Sequence, residues 1–267
     1  MNNVSKYMKA TKVWDKYTDD SEFLKILKNR HTCGNFTDKE VSKYDKNQIL
    51  QSIYVSPDKT NTKPYIALAV GQSEVGKKLK NLLYNEITFD SDTLTGVEYA
   101  PFSKNNKAEM SKNPQVLAPL VIMYFARNVA DDINALEKVK EEVINPNQVE
   151  NQIKEIKEDS KDPNYHYSAI YIAAMTSMLS AESLGYKTAY CGCIFQKKSY
   201  LLEKFFKDHL IEIDSTFPDK YSDNKHLPVV MVCIGHSVSN DVTDRNNWPM
   251  AGKEGARPSY DTFIKEI

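Results

Sequence analysis

Three stretches hold residue types that could do chemistry. In "LKNRHTCGNF" (27–36) Arg30, His31, Thr32 and Cys33 are consecutive, at the end of a leucine-bearing helical pattern. Four readings are open: a metal corner, a cysteine activated by histidine, a polar helix end, and a grip on an anion. A guanidinium binds phosphate in bidentate fashion, so Arg30 with the Thr32 hydroxyl suits an anion. The plainer alternative is an arginine offsetting the dipole at a helix C-terminus. The second stretch, "GQSEVGKK" (71–78), comes close to the phosphate cradle G-x-x-x-x-G-K-[ST]. Lys78 stands where a hydroxyl must bind magnesium, and Glu74 brings a negative charge into the cradle, so a surface turn entering a helix is the better reading. The third is Cys191 and Cys193, spaced C-G-C. On a strand they point the same way, without the turn that wraps zinc. A nucleophilic Cys33 beside His31 or His236 lacks a family signature and an evident oxyanion hole, and buried, inert thiols are the commoner use of cysteine. No G-x-G-x-x-G follows a strand, which excludes a Rossmann dinucleotide site.

The elements that position these residues follow from periodicity. Ser21 is a natural N-cap for a helix over 21–29, with Phe23, Leu24, Ile26 and Leu27 on one face. A second helix is expected from Asp45 to Tyr54, then a break at "SPDKTNTKP", rich in turn formers. "YIALAV" (65–70), "PLVIMYFA", "KTAYCGCI" and "PVVMVCIG" (228–235) read as short strands, the second and last buried on both faces. A helix follows the first of them through "EVGKKLKNLL". The segment 168–185 is apolar nearly all round and rich in alanine and serine, which predicts a closely packed central helix stopped by Gly185. Residues 131–162 are heavily charged, with apolar residues at helical spacing on either side of Pro146. They predict two amphipathic helices, either a solvated hairpin or a lid. The fold class is α+β, with a modest sheet.

With 267 residues, 41% hydrophobic and 27% charged, the chain can bury one core, so a single domain (1–267) carrying this charged helical insertion at about 131–162 is expected. A net charge of −1 offers no general attraction to nucleic acid or membrane. The N-terminus lacks a signal-type apolar stretch, and "VLAPLVIMYFA" is too short to span a bilayer, so a cytoplasmic protein with reduced cysteines is expected.

Taken in order, the motifs resemble those of the nitroreductase family of FMN-dependent oxidoreductases. "RHTCGNF" is similar to the opening R-[RH]-[ST]-x-[RK]-x-F/Y, and "SPDKTNTKPY" to S-P-S-x-x-N-x-Q-P-W before a strand. "NPQVLAPLVIMYFA" resembles the N…AP-plus-strand segment, and "ESLGYKTAYCGCI" resembles L-G-L-x-T-x-W-x-G. "VVMVCIGH" and "ARPSYDTFI" resemble the closing strand and the R-R-P tail. The resemblance spans residues 23–264. It implies a nitroreductase-like α+β fold: a central, mainly antiparallel sheet flanked by helices, in an intertwined homodimer with FMN between the subunits. Arg30, His31 and Thr32 would hold the phosphate end, with Arg257 as a second cation. Pro57, Asp58 and Asn61 would approach the ring from the other subunit. Asn113 or Gln115 would reach its pyrimidine edge, and backbone around Cys191, Gly192 and Cys193 would face its N5 side.

Three departures from the family pattern stand out. Gly34 replaces the usual Arg or Lys that stabilises reduced flavin, with Lys63, where Gln is usual, the nearest substitute cation. The tail reads "GARP", so Arg257 lacks its basic neighbour unless Lys253 substitutes. Asp58, where Ser is common, adds negative charge. The function implied is hydride transfer from NADH or NADPH to flavin N5, then to a small-molecule acceptor such as a nitroaromatic or quinone, with residues 131–162 setting acceptor choice. No residue of the chain is then itself catalytic, and no metal is expected. The alternative is a flavin-binding or vestigial member that senses or stores; a thiol enzyme using Cys191 or Cys193 is a third reading.

Overall fold

Among the described residues, four strands form one sheet: β1 (Tyr65–Val70), β2 (Leu120–Ala126), β3 (Lys187–Cys191) and β4 (Val230–Gly235), in the order β1-β2-β4-β3, every neighbouring pair antiparallel. The structure, a computed structural model, describes residues 21–30, 32–59, 61–87, 113–142, 144–192, 199–213 and 227–238. By contacts the chain divides into two units. One comprises 1–31, 91–111 and 239–267, of which only 21–30 are described; the other comprises 32–90 and 112–238 and holds the sheet.

In the first unit, α1 (Glu22–Asn29) begins at Ser21, whose hydroxyl accepts from Leu24 N–H, and ends at Arg30, in extended conformation. The second unit contains α2 (Lys43–Tyr54), α3 (Glu74–Leu82), α4 (Ala130–Val139), α5 (Pro146–Asp159), α6 (Pro163–Ser183) and α7 (Ser199–Asp208).

The continuous apolar character of the central strands has a physical cause: both faces of the sheet are covered. All seven residues of β2 and all six of β4 are buried. Because alternate residues of a strand face opposite ways, Leu120, Ile122 and Tyr124 pack with Val230, Val232 and Ile234 against α2 and α6. Val121, Met123 and Phe125 face the other way, onto Leu79 and Leu83 and onto Leu202 and Phe206 of α7. On α6 the small residues Ala173, Ala174 and Ser177 let the helix lie close to the sheet. Ser177 also accepts the Tyr124 hydroxyl at 2.8 Å, satisfying a polar group that burial would otherwise strand.

Each break agrees with local chemistry. The "GQSEVGKK" turn enters α3 at Ser73, whose hydroxyl accepts from Gly76 N–H, with Glu74 in the first turn. That is a capped helix, in keeping with rejection of a phosphate loop. Helix α6 starts five residues before the expected 168, because Asp162 caps it and Pro163 occupies its first position. Gly185, at φ +86°, stops it as expected. Helix α7 was not foreseen. The charged stretch forms the two expected helices, α4 and α5, which pack through Val129, Ile133, Ile153 and Ile156. Two ion pairs, Lys157–Glu137 at 2.7 Å and Lys140–Glu150 at 2.8 Å, link the pair on its surface.

Candidate functional site

The C-terminal end of β3 gathers three of the expected residues. Asn113 caps the short turn of helix Pro114–Leu117 by accepting from Gln115 N–H at 3.0 Å. Its amide nitrogen donates to Cys191 Sγ at 3.0 Å. Asn113 therefore holds Gln115 beside Cys191 and Gly192, and its own amide is occupied in doing so. The Gln115 side chain is half-buried, with its amide nitrogen unpartnered among the described residues. Gly192 is exposed, and a Cβ built on it would meet nothing within 4 Å. Nothing among the described residues demands a glycine there, by crowding or by φ.

Thr32 and Gly34 lie along the outer edge of β3. Thr32 bridges Thr188 in parallel fashion, and Cys33 N–H donates to Thr188 O at 2.9 Å. Gly34 is exposed with open space around it. Cys33 is buried, its thiol directed at Asn35 O at 3.1 Å, and burial raises its pKa. A thiol so placed is a poor nucleophile. Cys191 is buried as well. Arg30 caps the C-terminus of α1. His31, Cys193, Lys253 and Arg257 lie outside the described residues.

The other half of the expected site precedes β1. Pro57 is exposed, and Asn61 and Lys63 take left-handed backbone conformations, φ 55° and 49°, uncommon for residues with a Cβ. These turns direct Lys63 back into its own loop. Its ammonium donates to Ser56 O at 2.7 Å, Asp58 Oδ2 at 2.8 Å and Asn61 Oδ1 at 2.9 Å. The Asp58 carboxyl is 1% exposed and also accepts from Thr62 N–H at 3.0 Å. The extra negative charge expected at Asp58 is thus matched by Lys63, and Lys63 is committed to this loop.

Sequence reasoning missed the residues that brace this loop. Arg127, just past β2, donates to Thr62 O at 2.7 Å and Lys63 O at 2.9 Å, and pairs with Asp132 of α4 at 2.6 Å. Lys59 reaches Asp159 at 2.8 Å and Glu155 at 3.1 Å on α5. The Thr62 and Tyr165 hydroxyls are hydrogen-bonded. An open polar groove of about 510 Å³ runs between the loop and α5, lined by Asn61, Gln148, Asn151 and Gln152 among others. Only long-range contacts reveal these links, and no motif carries them.

Strand order separates the two halves. Thr32 and Gly34 flank β3, at one edge of the sheet, while Pro57–Asn61 lead into β1, at the other. Three strand spacings, roughly 14 Å, lie between these edges. On the α6 face near β3, Tyr171, Ile172 and Met175 are exposed, with Tyr190 beside Tyr171 at a ring distance of 6.4 Å. Burial, then the neighbouring Tyr171, pushes the Tyr190 hydroxyl up to about 12. Among the described residues no group of three His, Cys, Asp or Glu is placed to hold a metal ion, and no helix is long and apolar enough to cross a membrane.

A family model described as "Nitroreductase family" matches residues 27–236. No curated protein matches the chain. Among solved structures, ydfN of Bacillus subtilis, a candidate nitroreductase, is 15% identical with a TM-score of 0.59, covering 92% of this chain and 99% of its own. A candidate nitroreductase of Exiguobacterium sibiricum in complex with FMN is 21% identical with a TM-score of 0.53, covering 94% and 99%. A candidate NAD(P)H:FMN oxidoreductase of Staphylococcus epidermidis is 14% identical with a TM-score of 0.56, covering 94% and 99%. At such identities the likeness speaks for the fold.

Proposed function

The chain belongs to the nitroreductase family, and we propose that it is an FMN-dependent oxidoreductase. It would work as a homodimer, drawing on NADH or NADPH and reducing a small-molecule acceptor such as a nitroaromatic or quinone. The observation that carries this reading is the C-terminal end of β3, where Asn113 ties Gln115 to Cys191, next to exposed Gly192. A flat ring can approach backbone there, and the absence of a side chain at Gly192 gives it room. The residues present fit the cofactor. The Thr32 hydroxyl would bind its phosphate, and the Gln115 amide nitrogen, unpartnered among the described residues, would donate to an acceptor on the ring edge; the motif resemblance adds Arg30 as a partner of the phosphate.

Bound FMN would supply the redox chemistry, taking a hydride from NAD(P)H and passing two electrons to the acceptor. The protein binds, orients and keeps space. The loop 57–61 lies across the sheet from this place, so in the dimeric reading it reaches the ring from a second copy. The exposed apolar face of α6 supports that arrangement, since Tyr171, Ile172 and Met175 gain from being covered.

An absorption spectrum of the purified protein, and its bleaching by NADH or NADPH without air, test the proposal. Colourless protein with no affinity for added FMN overturns it. Arg30→Ala should weaken FMN binding about ten- to a hundredfold by removing charge-assisted hydrogen bonds; unchanged affinity would show that the phosphate lies elsewhere. A second reading, a flavin-binding protein with little turnover, is favoured by Gly34, whose position lacks the family cation, and by Lys63, whose ammonium is occupied. Yellow protein that does not bleach would select it.

A further inference from the structure

We propose that Arg127 is the positioning residue for the loop 57–63, fixing Asn61 and coupling the loop to the charged helical pair. The inference rests on the reading of that loop as half of the flavin site. The backbone turns left-handed twice within three residues, at Asn61 and Lys63, with no glycine to ease it. Such a path persists only when its surroundings hold it, and one guanidinium holds both carbonyls of this turn. Nε donates to Lys63 O at 2.9 Å and Nη2 to Thr62 O at 2.7 Å, while Nη1 reaches Asn128 O at 3.1 Å. The backbone N–H of Arg127 donates to Pro64 O at 3.2 Å, so the same residue ties the end of β2 to the approach to β1. A planar fork with five donors can do this; an ammonium, a point charge, cannot span all these acceptors together.

Asp132 gives the clamp a second function. Its carboxylate takes Nη2 from the first turn of α4, and Lys59 of the loop is held in turn by Glu155 and Asp159 of α5. The loop is therefore attached to both helices of the pair, at Asp132 on one and at Glu155 and Asp159 on the other. Its placement depends on theirs. Asn61 is exposed at the tip of the turn, where displacement of the helices reaches it most directly.

The test uses the full chain carrying Arg127→Met and Arg127→Lys, with hydrogen exchange of the apo protein and FMN affinity as readouts. Arg127→Met should speed exchange at the Thr62 amide and its neighbours while the central strands 121–125 and 230–234 keep their protection. FMN binding should weaken about tenfold, through loss of a preorganised loop. Arg127→Lys should recover only part of either effect. Wild-type exchange in the loop and wild-type FMN affinity in Arg127→Met would overturn the proposal. Should that variant fail to fold, full recovery by Arg127→Lys would overturn it, and partial recovery would uphold it. Wild-type protein that binds no FMN refutes the flavin reading instead, and the exchange data still decide whether Arg127 places the loop.

Discussion

Two departures from the nitroreductase pattern, Asp58 for serine and Lys63 for glutamine, form one ion pair, and their energies should not add. Lys63 Nζ lies 2.8 Å from Asp58 Oδ2, with the Asp58 side chain 1% exposed and that of Lys63 22%. Lys63→Gln leaves a buried carboxylate with Thr62 N–H as its remaining donor. Stranding such a charge costs about 3 kcal/mol. Asp58→Ser costs less, about 1 kcal/mol, because the ammonium keeps Ser56 O and Asn61 Oδ1 and can reach water. The double variant restores the pair of residue types usual in the family and strands no charge, so it should cost about 1–2 kcal/mol. The cycle then yields a coupling of about 2–3 kcal/mol, read from urea unfolding of the four proteins. Additivity within about 0.5 kcal/mol would refute the reasoning. The same double variant should leave the flavin midpoint potential unchanged. A fall in potential would mean that Lys63 does act on the ring.

Lys80 is 3% exposed, its ammonium on Ala118 O and Gln72 Oε1, and burial lowers its pKa to about 8. Between that value and the ordinary 10.5 the unfolded chain binds more protons, so stability should rise with pH by about 2–3 kcal/mol. Unfolding against Lys80→Met over that range checks it, and a flat difference would exclude it. Gly34→Arg should fold with stability changed by no more than about 0.5 kcal/mol, since its surroundings are open. It should raise the flavin potential by supplying the missing cation, measured by spectroelectrochemistry. Cys33, Cys191 and Cys233 should resist iodoacetamide in the native protein and react in urea, as peptide mass mapping would show. Rapid native labelling of Cys33 would contradict its raised pKa.

What could be read from the sequence was whatever local chemistry determines. Ser21, Ser73 and Gly185 marked helix ends, and the unbroken apolar runs marked strands covered on both faces. Helix α7 has no counterpart among the expected elements, although Leu202 and Phe206, four apart, face the core together. In the site, residue types named the candidates but could not aim them. A lysine at φ 49° turns where few lysines turn, and that backbone angle is what sends Lys63 toward Asp58 and not outward. Asn113 and Gln115 are the two choices for the ring edge; a contact to Cys191 across 78 residues occupies the Asn113 amide, while the half-buried Gln115 amide nitrogen has no partner among the described residues. Arg127 acts on carbonyls more than sixty residues earlier, which no spacing rule records.

Strand order also dictates when the protein can form. Strand β2 is buried at every position, and its register with β4 joins residues more than a hundred apart, Tyr124 with Val230 and Leu120 with Ile234. During synthesis β2 emerges early and has only the shorter β1 on one side until β4 leaves the ribosome. Long-range pairing of this kind is slow, and the waiting strand is open to other chains meanwhile. Yield of native protein should thus depend on chaperone supply and on expression temperature, and truncations before residue 230 should aggregate and not fold in part.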